Sequence, residues 1–229
     1  MKTDTASIIK FAQELIRTPS QGGIDSYAPV VDLAYEFARA QGLPVVKLLD
    51  DKGEPVAVVA EIKGGQAKQQ DLNGNFLMIL DADEHTGRFE GIKAALKAGY
   101  KPDGIMIGYA GDDKIVAAHD ERHHVPQARA TAVEKISSEP PFLTPANSAL
   151  RTALRESVEE ITGKKVPEVI AGPSNIGNFL AKSGIEVTAG YGVPAKGVHA
   201  NDERAQLNRL PKVYSVYRQT LYKLLKVTA

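Results

Sequence analysis

Phe76-Leu77-Met78-Ile79-Leu80-Asp81-Ala82-Asp83-Glu84-His85-Thr86-Gly87 contains the sharpest change of character in the chain. Five unbroken apolar residues, 76–80, have the length and uniformity of a strand buried on both faces of a sheet. Charge follows at once. Ligands in open α/β sheets bind beyond the carboxyl ends of strands, so an acidic cluster at 81–85 stands where chemistry is done. The same residues have a plainer reading as solvated side chains capping a helix that begins near Thr86, since carboxylates at a helix N-terminus are favourable anyway.

Downstream, Phe89, Ile92, Ala95 and Leu96 recur at helical spacing and predict a helix that stops at Gly99. Pro102, Asp103 and Gly104 make a turn into a second buried strand, 105–107. Strand, helix and strand in that order form a βαβ unit, which points to a parallel or mixed sheet covered by helices. Upstream, apolar periodicity predicts helices over 8–16 and 26–41, the second closed by Gly42. Strands at 45–49 and 56–62 flank the turn Asp50-Asp51-Lys52-Gly53, and 64–74 is a polar, Gly-rich loop. The last third alternates again: helix 148–162, strand 166–171, helix 174–182, strand 185–189 and a terminal helix 210–225. The predicted fold is α/β, a three-layer αβα sandwich around a mixed, mostly parallel sheet.

At 229 residues the chain is long enough for one such domain, predicted over 1–229, and too short for two large ones. Lys+Arg 28 balances Asp+Glu 28, which removes the electrostatic case for nucleic acid or an anionic membrane as partner. There is no Cys, so any metal would rest on His, Asp and Glu. Residues 1–10 lack the apolar run of a signal peptide or spanning helix, and a cytoplasmic protein is predicted.

Three groups of residues carry chemistry on their own terms. Beside a metal, a partly desolvated carboxylate such as Glu84 can take a proton from water and pass it to a leaving amine. His119 and His123 stand four apart, one helical turn, but the order His119-Asp120-Glu121-Arg122-His123 does not put Glu directly after the first His, so a solvated linker is the better reading. Gly172-Pro173-Ser174-Asn175-Ile176-Gly177-Asn178 joins a strand to a helix N-terminus. Its free N–H groups there can hold a substrate carboxylate at Ser174, Asn175 and Asn178, or Ser174 simply caps the helix.

Taken in order, these pieces resemble the zinc-dependent amidohydrolases and metallopeptidases that include acetylornithine deacetylase, succinyl-diaminopimelate desuccinylase and the carboxypeptidase G type. The stretch from Ala82 to Gly91, beginning Ala82-Asp83-Glu84-His85-Thr86-Gly87, is similar to the family's Ala-Asp-Glu-Glu-Thr-Gly-Gly motif. The 8–65 stretch resembles its opening and 140–203 its C-terminal half. The resemblance implies a zinc-peptidase-like core, a Glu general base and two zinc ions bridged by a carboxylate. Glu84 falls on the base and His199 on the C-terminal metal-binding His. His85 takes the place of a metal-binding Glu, and Asp83 or Asp81 is a further candidate ligand.

The departures are equally specific. Tyr109 stands where the family has an acidic ligand, and the segment carrying the family's His-x-Asp strand and bridging Asp is missing between Leu72-Asn73-Gly74 and Phe76. The family's lid, which also mediates dimerisation, would be inserted near 119–126, where no room for it remains. Two expectations follow. The first is a metal-dependent hydrolase of amide bonds in N-acyl amino acids or small peptides, holding one zinc ion or none. The alternative is a catalytically silent, reduced or engineered lidless core that serves as a scaffold or binding module. Oligomeric state stays open, because the family's dimer surface belongs to the lid.

Overall fold

The computed structural model describes residues 5–65, 73–108, 114–119, 140–171, 175–198, 200 and 202–226. Two compact units are distinguished, Met1–Pro102 with Leu221–Ala229, and Asp103–Thr220.

In the first unit, α1 (Thr5–Arg17) and α2 (Ala28–Ala40) precede a sheet of β1 (Val45–Leu49), β2 (Pro55–Ile62) and β3 (Phe76–Asp81). Both pairings are antiparallel, with β2 central. The β1–β2 turn is fixed by Asp50, whose Oδ1 accepts the N–H groups of Lys52 and Glu54 at 2.8 and 2.9 Å. Residues 56–60 of β2 are all buried. Neighbouring residues of a strand face opposite ways, so this central strand needs cover on both sides. Val58 packs with Val31 and Ala34 of α2, joined by Phe11, Leu15 and Leu80. On the other face, α3 (Glu90–Lys97) brings Gly91 so close to Ala57 and Asp81 that a Cβ there would meet both side chains.

The second unit carries β4 (Gly104–Met106), β5 (Ile115–His119), β6 (Phe142–Leu143), α4 (Ala149–Thr162), β7 (Glu168–Ala171), α5 (Ile176–Lys182), β8 (Glu186–Thr188), β9 (Ala195–Lys196), β10 (Arg204–Ala205) and most of α6 (Leu210–Leu224). The parallel pairings are here, β5 with β7 and β4 with β8, while β6 lies antiparallel to β5 and β9 to β10. The sheet structure is therefore mixed. In the first unit β1 and β2 are joined by residues 50–54 alone, too few for the crossover that parallel pairing needs. Ile115, Leu154, Val158, Tyr191 and Val216 form the core.

Two polar contacts inside this unit were not readable from the helical pattern. Arg151 of α4 is 9% exposed, and its guanidinium donates to the Glu168 carboxylate of β7 and to the Thr144 carbonyl. The buried Tyr217 hydroxyl donates to the Ile107 carbonyl at 3.1 Å and accepts the Tyr191 N–H at 3.3 Å. Burial pushes this phenol up to about 12. Gly190, at φ +72°, lies under the same hydroxyl, which a Cβ would strike.

Arg151→Ala removes the nearer cation from Glu168, leaving it Arg155 at 3.7 Å, and strands the Thr144 carbonyl. The change should lower stability by about 2 kcal/mol, read from urea unfolding. The Tyr217 phenol is harder to ionise folded than unfolded, so its contribution is complete below pH about 10 and is lost as pH climbs toward 12. Urea midpoints across that window should fall less steeply for Tyr217→Phe than for the parent.

Candidate active site

Strand β3 ends at Asp81, and the acidic cluster does not run straight into a helix as the sequence predicts. Glu84–Thr86 form a single 3-10 turn that stops at Gly87, φ 71°, and α3 begins only at Glu90. Phe89 between them sits at φ 55°, in the left-handed region where a non-glycine residue is strained, and is held there with its side chain buried. The reason for the late start is the supply of acceptors. Asp81 Oδ2 takes the Ile92 N–H at 2.8 Å, and Asp83 Oδ2 takes the Glu90 N–H at 3.4 Å. Carboxylates from the strand end thus satisfy N–H groups in the first turn of α3 that a local cap would otherwise serve.

Asp83 is neither solvated nor exposed; its relative exposure is 0%. Its Oδ1 accepts from the Tyr27 hydroxyl at 2.5 Å, from Thr86 Oγ1 at 2.8 Å and from Arg88 at 3.4 Å. Burial alone would push its carboxyl up, but the hydrogen bonds from Tyr27, Thr86 and the Glu90 N–H, together with the Arg88 guanidinium, hold it below the usual carboxylate range. Asp81 is shifted the other way. Burial raises its carboxyl, outweighing the N–H groups of Asp83 and Ile92 that it accepts.

Glu84 and His85 are more exposed than Asp83. Their side chains are 36% and 75% exposed, and His85 Nε2 lies 3.7 Å from Glu84 Oε2. The structure thus brings four of the sequence candidates together and divides them: Asp81 is committed to backbone N–H groups and Asp83 to hydroxyl, guanidinium and backbone donors, while Glu84 is partly exposed and His85 faces solvent. Among the described residues no three His, Asp or Glu side chains gather as a metal site. His199, Ser174, Tyr109, His123 and His124 lie outside the described residues, as does the His119 side chain.

The 172–178 loop also differs from expectation. The N-cap of α5 is Asn175 rather than Ser174, in a reciprocal capping box with Asn178. The N–H groups of Asn175, Gly177 and Asn178 are each given to an acceptor within that box, at 2.7–3.0 Å, and Asn178 Nδ2 donates to the Pro140 carbonyl at 2.9 Å. Asn175 and Asn178 therefore shape the turn, and none of those three N–H groups remains to hold a carboxylate.

A family model described as peptidase family M20/M25/M40 matches residues 48–223. The chain belongs to that family. The M20 assignment bears out the resemblance drawn from the 82–91 motif. Succinyl-diaminopimelate desuccinylase from Hydrogenovibrio crunogenus is 33% identical over 85 residues, which is 37% of this chain and 22% of that enzyme. The Sulfurovum sp. enzyme of the same name is 31% identical over 81 residues, 35% of this chain and again 22% of the relative. These matches span about a fifth of the curated relatives' length.

In three dimensions the chain is similar to a tripeptidase from Staphylococcus aureus, with TM-score 0.73, 13% identity and coverage of 97% of this chain and 98% of the other. A Bacillus subtilis M20 peptidase described as dinuclear and metal binding gives TM-score 0.65 at 10% identity, covering 98% and 99%. At such identities the likeness establishes the α/β fold.

Tyr27, Thr86 and Arg88 were missed as participants in the cluster. Thr86, three residues after Asp83, carried a local signal for a hydroxyl folding back onto the turn. Tyr27, 56 residues away, carried none. Asp83→Ala would strand the Tyr27 hydroxyl and the Glu90 N–H and should cost about 3 kcal/mol in urea unfolding near neutral pH. The lowered Asp83 carboxyl contributes fully above pH about 4, and the contribution is lost as pH falls through its lower folded value. The gap between parent and variant should therefore narrow in acid.

Proposed function

We propose that this chain is a metal-dependent hydrolase of amide bonds in N-acylated amino acids or small peptides. The observation that carries the reading is Glu84, partly exposed on a fixed turn at the carboxyl end of β3, inside the stretch matched to the M20 family. A carboxylate so placed can accept a proton from the attacking water and return it to the departing amine. The two curated relatives, both named succinyl-diaminopimelate desuccinylases, favour a small N-acyl substrate over a protein.

The donor set decides what metal the chain would hold. With Asp81 and Asp83 committed to N–H and hydroxyl donors, the cluster offers Glu84 and His85, which suits part of one ion's coordination and not a two-ion centre. Nitrogen and oxygen donors without thiolate are compatible with zinc. His85 and His199 are each proposed as metal ligands, Glu84 remains the base, and Asp83 is left out. Bound there, zinc would supply Lewis acidity toward the carbonyl and the water.

The second reading, a catalytically silent core acting as a scaffold or binding module, is favoured by the lack of a three-donor cluster among the described residues. No described helix is long and apolar enough to cross a membrane, and the proposed setting is cytoplasmic.

Metal analysis of protein purified without an affinity tag separates the two readings. The hydrolase reading expects zinc near one equivalent, lost in His199→Ala, with hydrolysis of N-acetyl or N-succinyl amino acids reduced at least about 100-fold by Glu84→Gln. Folded, metal-free protein with no hydrolysis of either substrate class would leave the scaffold reading standing.

A further inference from the structure

Glu84 and His85 are the two residues between Asp83 and Thr86, and Asp83 is the fixed point of that turn. The Thr86 hydroxyl reaches both the Asp83 carboxylate, at 2.8 Å, and the Asp83 carbonyl, at 3.1 Å, while the Arg88 N–H donates to Thr86 Oγ1 at 3.1 Å. The turn is thus wound around one side chain. What holds that side chain comes from elsewhere in the sequence. Tyr27 immediately precedes α2, where a proline in the first turn stiffens the backbone, and its ring packs against the Val31, Ala34 and Val58 cluster. A tyrosine anchored by its ring has little freedom left to lose when its hydroxyl is engaged.

The approach of the 20–27 segment to the turn is equally constrained. Gly22 lies against Thr86 and Tyr27: a Cβ there would come within 2.5 Å of Thr86 Cγ2 and 3.1 Å of the Tyr27 hydroxyl. Two independent features, a hydroxyl that reaches Asp83 and a missing methyl that lets the segments close, serve the same contact.

We propose that Tyr27 is a positioning residue for the active-site turn: its hydroxyl, admitted by Gly22, fixes Asp83 and through it the placement of Glu84 and His85. Its catalytic meaning rests on the hydrolase reading above; its structural content does not. Reacting groups tolerate little displacement, and a misplacement of about 1 Å can cost about 100-fold in rate, so a turn carrying a base gains from an anchor outside itself.

Tyr27→Phe removes the hydroxyl and keeps the ring, while Gly22→Ala keeps the hydroxyl and wedges the segments apart. Both are made in the full chain and followed by amide hydrogen exchange. The Gly87 N–H, bonded to the Glu84 carbonyl, and the Glu90 N–H, bonded to Asp83, should exchange at least about tenfold faster in each variant. The Ile92 N–H, held by Asp81, and the β2 amides should stay within about twofold of the parent. Where the parent hydrolyses an N-acyl amino acid, kcat should fall at least about tenfold with KM within about twofold, because the base and not substrate binding is displaced.

Unchanged exchange at Gly87 and Glu90 in both variants overturns the proposal, as does local loosening with kcat intact. A parent that hydrolyses nothing defeats the hydrolase reading alone, and the exchange pattern then decides by itself whether Tyr27 holds the turn.

Discussion

Asp83 presents a carboxylate with no exposed surface, and a charge so placed is tolerable only where donors converge on it. The Tyr27 hydroxyl, the Thr86 hydroxyl, the Glu90 N–H and the Arg88 guanidinium do so, and each ties a different piece of chain to one point. From that point the rest of the region follows. The turn must close at Gly87 and α3 must start late so that its first N–H groups meet Asp83 and Asp81. Phe89 must take a left-handed backbone to join the two. Glu84 is then left partly exposed and His85 facing solvent at the end of β3.

The second unit solves a related problem with opposite components. There a buried cation, Arg151, is satisfied by the Glu168 carboxylate and the Thr144 carbonyl, which ties α4 to β7 and to the segment following β6. In both units a charge fixes geometry that apolar packing would leave loose. The difference lies in what surrounds it. Around Asp83 the network ends beside two side chains able to do chemistry, whereas around Arg151 it serves the packing of helix on sheet.

The elements themselves were legible because their signals are local. Helical spacing in 8–16 and 26–41, the unbroken 76–80 run and the Asp50 turn each led to an element within a few residues of its observed bounds. The 82–91 motif carried enough family character to be confirmed by the M20 match. What escaped was non-local or a choice between near-equal caps. No pattern around Tyr27 shows that its hydroxyl meets Asp83, and Ser174 and Asn175 are both good cap residues, so the reciprocal bond with Asn178 decided between them. Phe89 looked like an inward helical residue, and its left-handed backbone depends on carboxylates that only the strand end can supply.

The central claim is that a turn wound around the buried Asp83 carboxylate presents Glu84 and His85 at the end of β3, where the proposed hydrolase would use them. Anomalous diffraction at the zinc absorption edge, on crystals of untagged protein, tests it directly. The account predicts a zinc peak at His85, with the Asp83 carboxylate still bonded to the Tyr27 hydroxyl. A peak lying instead among His119, His123 and His124, or no peak in well-ordered crystals, would contradict it.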